Sequence, residues 1–566
     1  MLGVTTESIL EQNSRLTRRW LESLSHLFQA AVKSRPVMWV VFTVVYAVPT
    51  VYLARIKLFW EDEFFTYYLS RTSSWHDLLQ ALATGADQHP PTFYYLTHLS
   101  TTVFGSSHVI VRLPAILGFW LLCICLYEIV RDLTTPAWAA VAMFFPLATE
   151  FYNYASEARG YGLVAGFAAL AVLSWLRLAA HRNRIVYVPL LAVALAAAVA
   201  SHYYAILIVV SLALGELVRT RHTRKIDWLI WMAFASAGIP ILAFLGTIRS
   251  AQGYSSHFWA VPLWSEAFGF YEREFGLGMF TLFGALAVNL SFRAVTRTRP
   301  DSQSAPLRGP SWTPWQAIAI CTLAAVPFLT ILLAKFVTHG FTPRYCISAL
   351  IGVTALLFYF LSRIAFRPGA AAIGIFACIV VFSIQARILK EKYEQVREET
   401  TQDVRNLSRL PNAQIAVMKA EDAHRLSFYA PRELASRIAY LADPNSSIAF
   451  LGHDTIDRGL LDLRPWFPIN IVRADSFLND NHQFYVFGET DTWTWLTFEL
   501  SKWGQTKLLA RGEEQRLLFS VDNVRFSADP QAMQEQHAIQ STMLFATLPK
   551  YGPSLCVLSM GPHSCP

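Results

Sequence analysis

Residues 36–63 read PVMWVVFTVVYAVPTVYLARIKLFWEDE. From Pro36 to Ala54 the run is apolar and carries no charge. A helix needs roughly 20 such residues to cross a bilayer. The run is therefore expected to span, and Arg55 and Lys57 close it. Immediately beyond come Trp60, Glu61, Asp62 and Glu63. Acidic residues contribute little to membrane topology, so three in a row call for another account. They suit a solvated cluster at the interface, or a carboxylate base or cation ligand.

Composition points the same way. The chain has 566 residues, 54% hydrophobic and 15% charged. Soluble domains carry about 25% charged residues, so lipid is expected to be part of the solvent. The formal net charge is +7. Its basic residues sit in short loops between apolar runs, which fits membrane orientation and gives no broad surface for nucleic acid. Residues 1–36 are polar, with Arg15, Arg18, Arg19, Lys33 and Arg35. They lack the early apolar stretch and small-residue cleavage site of a secretory leader. A cytoplasmic segment followed by a retained helix is expected. Cys123, Cys125, Cys321, Cys346 and Cys378 lie in or beside apolar runs and read as small core residues. Cys556 and Cys565 could pair if the C-terminal end lies outside the cytoplasm.

The same reading gives about 11 candidate spans, at 37–54, 110–130, 136–152, 161–179, 185–200, 202–218, 228–247, 275–292, 314–336, 345–361 and 369–385. With the N-terminus inside, every inward loop is basic, for example Arg219, Arg221, Arg224 and Lys225. The tail then lies outside. The fold class expected is a polytopic α-helical membrane protein of the inner membrane, with an extracytoplasmic C-terminal α/β domain. Its parts are residues 1–36, a transmembrane domain at 37–385, and 386–566. The first outward loop, 55–109, carries two helices expected to lie flat on the interface: Ser74–Leu82, capped by Ser73 or Ser74, and Thr92–Phe104. In the tail, Ile415–Ala420, Ile448–Gly452 and Phe484–Gly488 read as buried strands. Helices are expected around 433–442 and 491–503, and Gly512 marks a turn between Leu508–Ala510 and Leu517–Val521. No Gly-rich phosphate fingerprint is present, so no nucleotide is assigned.

Six polar motifs fall on the outward face under this one topology. Besides the acid triplet they are His89-Pro90-Pro91, Arg112-Leu113-Pro114, the Glu157–Tyr161 stretch, His202-Tyr203 and Arg344-Tyr345. The paired prolines fix a rigid turn that sets His89 at a helix start, a place that favours anions. Arg112 could snorkel to the interface, and His202 could be a satisfied structural histidine. Polar groups gathered at membrane depth are more often functional.

With these residues the chain resembles the GT-C glycosyltransferases, in particular protein mannosyltransferases and aminoarabinose transferases. The carrying string is Trp60–Glu63, His89–Leu96, Phe104–Ser107 and Arg112–Ala115, continued by Glu157–Tyr161, His202-Tyr203 and Arg344-Tyr345. The resemblance covers 37–385 and says nothing of the tail. It implies a cavity open to the extracytoplasmic side and a polyprenyl-phosphate sugar as donor. It also implies an extracytoplasmic acceptor (glycan, lipid or protein) and inversion at the anomeric carbon. The family's acid pair falls on Asp62 and Glu63, which makes Asp62 the base, with Glu63 supporting it or, jointly, a divalent metal. His89 stands where some relatives have a donor-binding Lys. His89, Arg112, Glu157, Arg159, Tyr161, His202, Tyr203, Arg344 and Tyr345 are the expected donor contacts. Three rivals stay open: a flippase or transporter for lipid-linked sugars, a polymerase using a diphosphate-linked glycan, and a non-catalytic scaffold. A transporter would more naturally show internal repeats or paired broken helices, and the sequence shows neither.

Overall fold

The computed structural model describes residues 29–295, 311–364, 368–489, 494–496, 505–511 and 516–522. Cys556, Cys565, Gly512 and most of the helix expected at 491–503 lie outside them. The chain divides into two compact units, Met1–Ser256 with Ala260–Arg397 and His257–Trp259 with Glu398–Pro566.

The first unit is helical. Seven described helices are long and apolar enough to cross a membrane, or nine if two sharply bent pairs each count as one span. This is a multi-pass membrane protein. The bent pairs are Trp228–Ala243 with Leu245–His257, and Pro314–Ala324 with Val326–Thr338. Pro136–Ala148 and Ala349–Arg363 are apolar but shorter. All 11 expected stretches thus fall on helices, while length and composition support seven to nine crossings.

The elements that build the site come early. They are α1 (Arg35–Ile56), α2 (Glu61–Leu69), α3 (Trp75–Ala83) and α4 (Thr92–Phe104). There follow α5 (His108–Leu133), α6 (Pro136–Phe144), α7 (Tyr161–Ala179), α8 (Arg184–Ser201) and α9 (Ile206–Thr223). The two helices expected in the first loop are α3 and α4. Ser74 caps α3 by accepting a hydrogen bond from the Asp77 amide at 3.1 Å. Between α1 and α2 the chain turns sharply, and the α1 end leaves carbonyls without helical partners. Arg112, in the first turns of α5, supplies them. Its guanidinium donates to the Ala54, Lys57 and Leu58 carbonyls at 2.7, 2.9 and 3.1 Å.

The α5–α7 contact fixes how closely the loops leading into α5 and α7 approach. A Cβ on Gly162 would lie 2.5 Å from the Ala115 carbonyl oxygen, and one on Gly166 would strike the backbone of Gly118. Small residues four apart let helix backbones touch, the usual basis of tight packing in lipid. A Cβ on Gly160 would meet the Ser201 carbonyl oxygen at 2.7 Å, so the loop before α7 lies against the end of α8.

The second unit contains a six-stranded sheet in the order β3-β2-β1-β4-β6-β5. Its strands are β1 (Ile415–Val417), β2 (Ile438–Ala442), β3 (Ile471–Arg473), β4 (Gln483–Glu489), β5 (Gln505–Arg511) and β6 (Arg516–Asp522). Pairing is parallel from β3 through β4 and antiparallel from β4 to β5. Two expectations fail here. Ile448–Gly452 belongs to the helix Pro444–Leu451 and its Gly stop, not to a strand. Asp443 caps that helix and Pro444 opens it. The helix expected at 433–442 is a single turn, Arg432–Ala435, followed by β2. All five β2 residues are buried between two parallel neighbours. Such strands lose the alternating pattern and read like helix segments.

The α5–α7 contact gives a direct test. Gly166→Leu should abolish recovery of folded, monodisperse protein in detergent, as scored by size-exclusion chromatography. Gly276→Leu should be tolerated, because a Cβ there meets nothing within 4 Å.

Candidate active site

The first acid to settle is Glu63. It is fully buried, and Arg112, also fully buried, grips it with Nε at 2.7 Å from Oε1 and Nη2 at 2.5 Å from Oε2. The Ala158 amide donates to Oε1 at 2.7 Å. Burial alone would raise this carboxyl. Arg112, Lys57 and the hydrogen bonds from Arg112 and Ala158 outweigh it and hold the group near 2. Glu63 and Arg112 therefore serve one another and tie α1, α2, α5 and the Glu157 loop together. Neither offers a group to a ligand.

A divalent cation on Asp62 and Glu63 does not fit this arrangement. Both Glu63 oxygens are engaged by a guanidinium, and the Asp62 carboxylate faces two more. No group of three or more His, Cys, Asp or Glu side chains with metal-site geometry occurs among the described residues.

Asp62, one residue before Glu63, sits differently. It is 24% exposed, and its Oδ2 lies 2.6 Å from Arg344 Nη1 and 3.8 Å from Arg159 Nε. The Arg344 guanidinium also lies over the rings of Trp60 and Tyr161, at 5.7 and 5.6 Å. Stacked, bidentate-capable guanidinium groups are suited to phosphate.

Beside this pair is a second charged knot built on Asp87, which the sequence reading did not single out. Arg159 grips Asp87 with Nη1 at 2.9 Å from Oδ2 and Nη2 at 3.1 Å from Oδ1. His89 Nδ1 is 2.9 Å from Oδ1, and the Tyr94 hydroxyl donates to Oδ2 at 2.6 Å. Burial opposes ionisation of Asp87, but Arg159 and His89 hold its carboxyl well below the usual range. The signal was present in the string Asp87-Gln88-His89-Pro90-Pro91. Its prolines place the carboxylate and imidazole on one rigid turn.

His89 Nε2 meets the Tyr161 hydroxyl at 3.2 Å. The His202 ring stands edge-on to His89 at 5.1 Å and packs on Tyr345 at 4.8 Å. His202 Nδ1 accepts from the Tyr204 amide at 3.3 Å, which puts the proton of the neutral ring on Nε2. Burial and then Arg159 push His89 down, against Asp87, and burial, His89, Arg159 and Arg344 push His202 well down. Both shifts favour the neutral imidazole. Tyr203 does not join them; its hydroxyl pairs with Thr247 at 3.1 Å. The neighbouring Tyr204 does, stacking on Tyr345 at 4.7 Å.

The expected residues thus separate. Asp62, His89, Glu157, Arg159, Tyr161, His202, Arg344 and Tyr345 share one cluster, joined by Asp87 and Tyr94. Glu63 and Arg112 brace it from beneath.

Comparison with known proteins bears on the fold. The dolichyl-phosphate-mannose-protein mannosyltransferase family model matches residues 88–245. That stretch carries His89, Arg112, Glu157, Arg159 and His202 but stops short of Asp62 and Arg344. The crystal structure of ArnT from Cupriavidus metallidurans bound to undecaprenyl phosphate is similar over 87% of this chain and 99% of that one, with TM-score 0.50 and 13% identity. The apo state of the same protein gives TM-score 0.51 at the same identity and coverage. The chain has the ArnT fold. No curated protein sequence matches it.

The two lowered imidazoles carry a sign. Below about pH 6.5 an unfolded chain protonates its histidines, while His89 and His202 resist in the fold. The contribution of these two histidines to stability should therefore fall as pH drops from 7 to 5, against an opposite contribution from the raised Glu157 carboxyl. His202→Phe should lose less melting temperature over that interval than wild type, measured by thermal unfolding in detergent. An identical pH slope would contradict the assignment.

Proposed function

We propose that this protein is a GT-C-type glycosyltransferase of the inner membrane. In this reading it moves a sugar from a polyprenyl-phosphate donor to an extracytoplasmic acceptor, with inversion and with Asp62 as base. The observation that carries the proposal is the Asp62 carboxylate set between Arg344 and Arg159, at 2.6 and 3.8 Å. Few other uses suit two semi-buried guanidinium groups around one carboxylate at the mouth of a helical membrane domain. The family model and the shared fold support it, and ArnT is described with undecaprenyl phosphate bound.

The chemistry follows from charge. As the anomeric C–O bond to phosphate breaks, its electron pair goes to the phosphate oxygen. Cations aimed there stabilise the transition state more than the ground state. Arg344 and Arg159 are those cations, with His89 beside them as a neutral hydrogen-bonding group. The acceptor hydroxyl attacks the opposite face and its proton passes to Asp62. Before the donor arrives, Arg344 is paired with Asp62. A phosphate that draws Arg344 to itself leaves the carboxylate free to take a proton, so base strength rises when donor is in place. The isoprenoid needs an apolar path. A groove of about 420 Å³ lined by Tyr271, Met279, Cys321, Ala324, Val353 and Leu356 offers one.

In this reading the N-terminus is cytoplasmic, α3 and α4 lie flat on the outer interface, and the second unit is extracytoplasmic. The two bent helix pairs are the broken helices expected of a transporter, which the sequence did not reveal, but the flippase and scaffold readings leave Asp62 without a task.

Purified protein incubated with a panel of polyprenyl-phosphate sugars should release polyprenyl phosphate. Asp62→Asn should insert normally and lose at least ~100-fold in rate, the scale of a missing general base. Arg344→Ala should raise the donor KM more than the acceptor KM. Equal rates for wild type and Asp62→Asn would remove Asp62 from the mechanism.

A further inference from the structure

Glu157 is the carboxyl whose surroundings the scheme above does not use. The residue is only 8% exposed, and its Oε1 is buried without a hydrogen-bond partner. Its chain neighbours are engaged. The Ser156 carbonyl lies 3.5 Å from Lys57 Nζ, and the Ala158 amide donates to Glu63. The charged and titratable groups facing Glu157 are Lys57 from the α1 end, Asp62 and Glu63 from α2, and Arg344. Tyr154 joins them from its own segment. A buried carboxylate oxygen with no donor is costly, so Oε1 is open to a group that arrives.

Charge counting says what. Arg112 balances Glu63, Arg159 balances Asp87, and Arg344 balances Asp62. That leaves Lys57 against Glu157. With Glu157 ionised the pocket is neutral and offers no net attraction to an anion. With Glu157 protonated it holds one surplus positive charge, which matches the single negative charge of a sugar phosphodiester.

We propose that Glu157 enters the donor complex as a neutral acid, donating its carboxyl O–H to an oxygen of the phosphodiester or its sugar, so that donor binding takes up one proton from solvent. This rests on the donor reading above. On donor departure the proton returns to solvent, and no bond besides O–H is made or broken. Burial lifts the Glu157 carboxyl to about 7 even without ligand, against Lys57 and Arg344 and with help from Glu63 and Asp62. An anion placed beside it lifts it further. The sign is then fixed: affinity is full below about pH 7 and falls as pH rises above it.

The test uses full-length protein in nanodiscs and methyl undecaprenyl phosphate, a phosphodiester that keeps one charge throughout. Binding is followed by calorimetry from pH 6 to 8.5 in buffers of different ionisation enthalpy. Wild type should take up about one proton near pH 8 and lose about 25-fold in affinity between pH 6.5 and 8.5, as one-proton linkage from a group near 7 requires. Glu157→Gln, which mimics the neutral acid, should show no such uptake and bind more tightly than wild type at pH 8.5. Lys57→Met should move the wild-type loss to higher pH, a shift that proton uptake by His89 or His202 would not give, and it serves if Glu157→Gln does not fold. Tight but pH-independent binding by wild type, or an unchanged pH slope in Glu157→Gln, overturns the proposal. So does loss of binding by Glu157→Gln at both pH extremes, which would mean that the ionised form is the one used. Failure of wild type to bind the probe at any pH overturns the donor reading itself and this proposal with it.

Discussion

The candidate site of the first unit depends on one buried ion pair. Arg112 and Glu63 are both fully buried, and between them they make seven hydrogen bonds or ion contacts at 2.5 to 3.4 Å across four parts of the chain. Taking two charges out of water is expensive, and such a pair adds little net stability over a well-packed apolar one. What it supplies is position. It closes the open carbonyls at the α1 end, starts α2 and pins the backbone of Ala158. Asp62 and Glu157 are the chain neighbours of these anchor points, so their placement follows from it. Removing one partner would leave an uncompensated buried charge, at about 3–5 kcal/mol.

Around this brace the polar groups are balanced rather than merely gathered. Asp87 neutralises Arg159 and orients His89, and Arg344 neutralises Asp62. Each guanidinium is therefore held by a carboxylate of the chain itself. The imidazoles are kept neutral by burial, so the resting pocket carries little net charge.

Much of this was legible in the sequence because the signals are local. Apolar runs gave the helices, and proline pairs and short polar strings marked the turns. α4 and the capped start of α3 follow from Thr92–Phe104 and Ser74 alone. What could not be read was which charge answers which. Glu63 and Asp62 are adjacent and chemically alike, yet helical geometry turns one into the protein and the other towards the pocket. Arg112 looked like a snorkelling arginine and is instead a buried clamp. Asp87 was passed over because a single Asp in a loop carries no pattern of its own; only its meeting with Arg159, far along the chain, gives it a part. Tyr203 and Tyr204 differ by one residue, and the tight turn at His202 decides which faces inward. In the second unit the all-buried β2 strand lost the alternation that would have marked it, and the Asp443-Pro444 helix start was the signal to weigh instead.

The account's central claim is that the loops after α1, before α4, before α7, after α8 and before Ala349 form one phosphate-binding pocket. An experimental structure of the full-length protein with undecaprenyl phosphate tests it most directly. The phosphate should lie within hydrogen-bond reach of Arg344 and Arg159, beside His89, with Arg344 drawn away from Asp62. A phosphate bound elsewhere, with the Arg344–Asp62 pair intact, would contradict it.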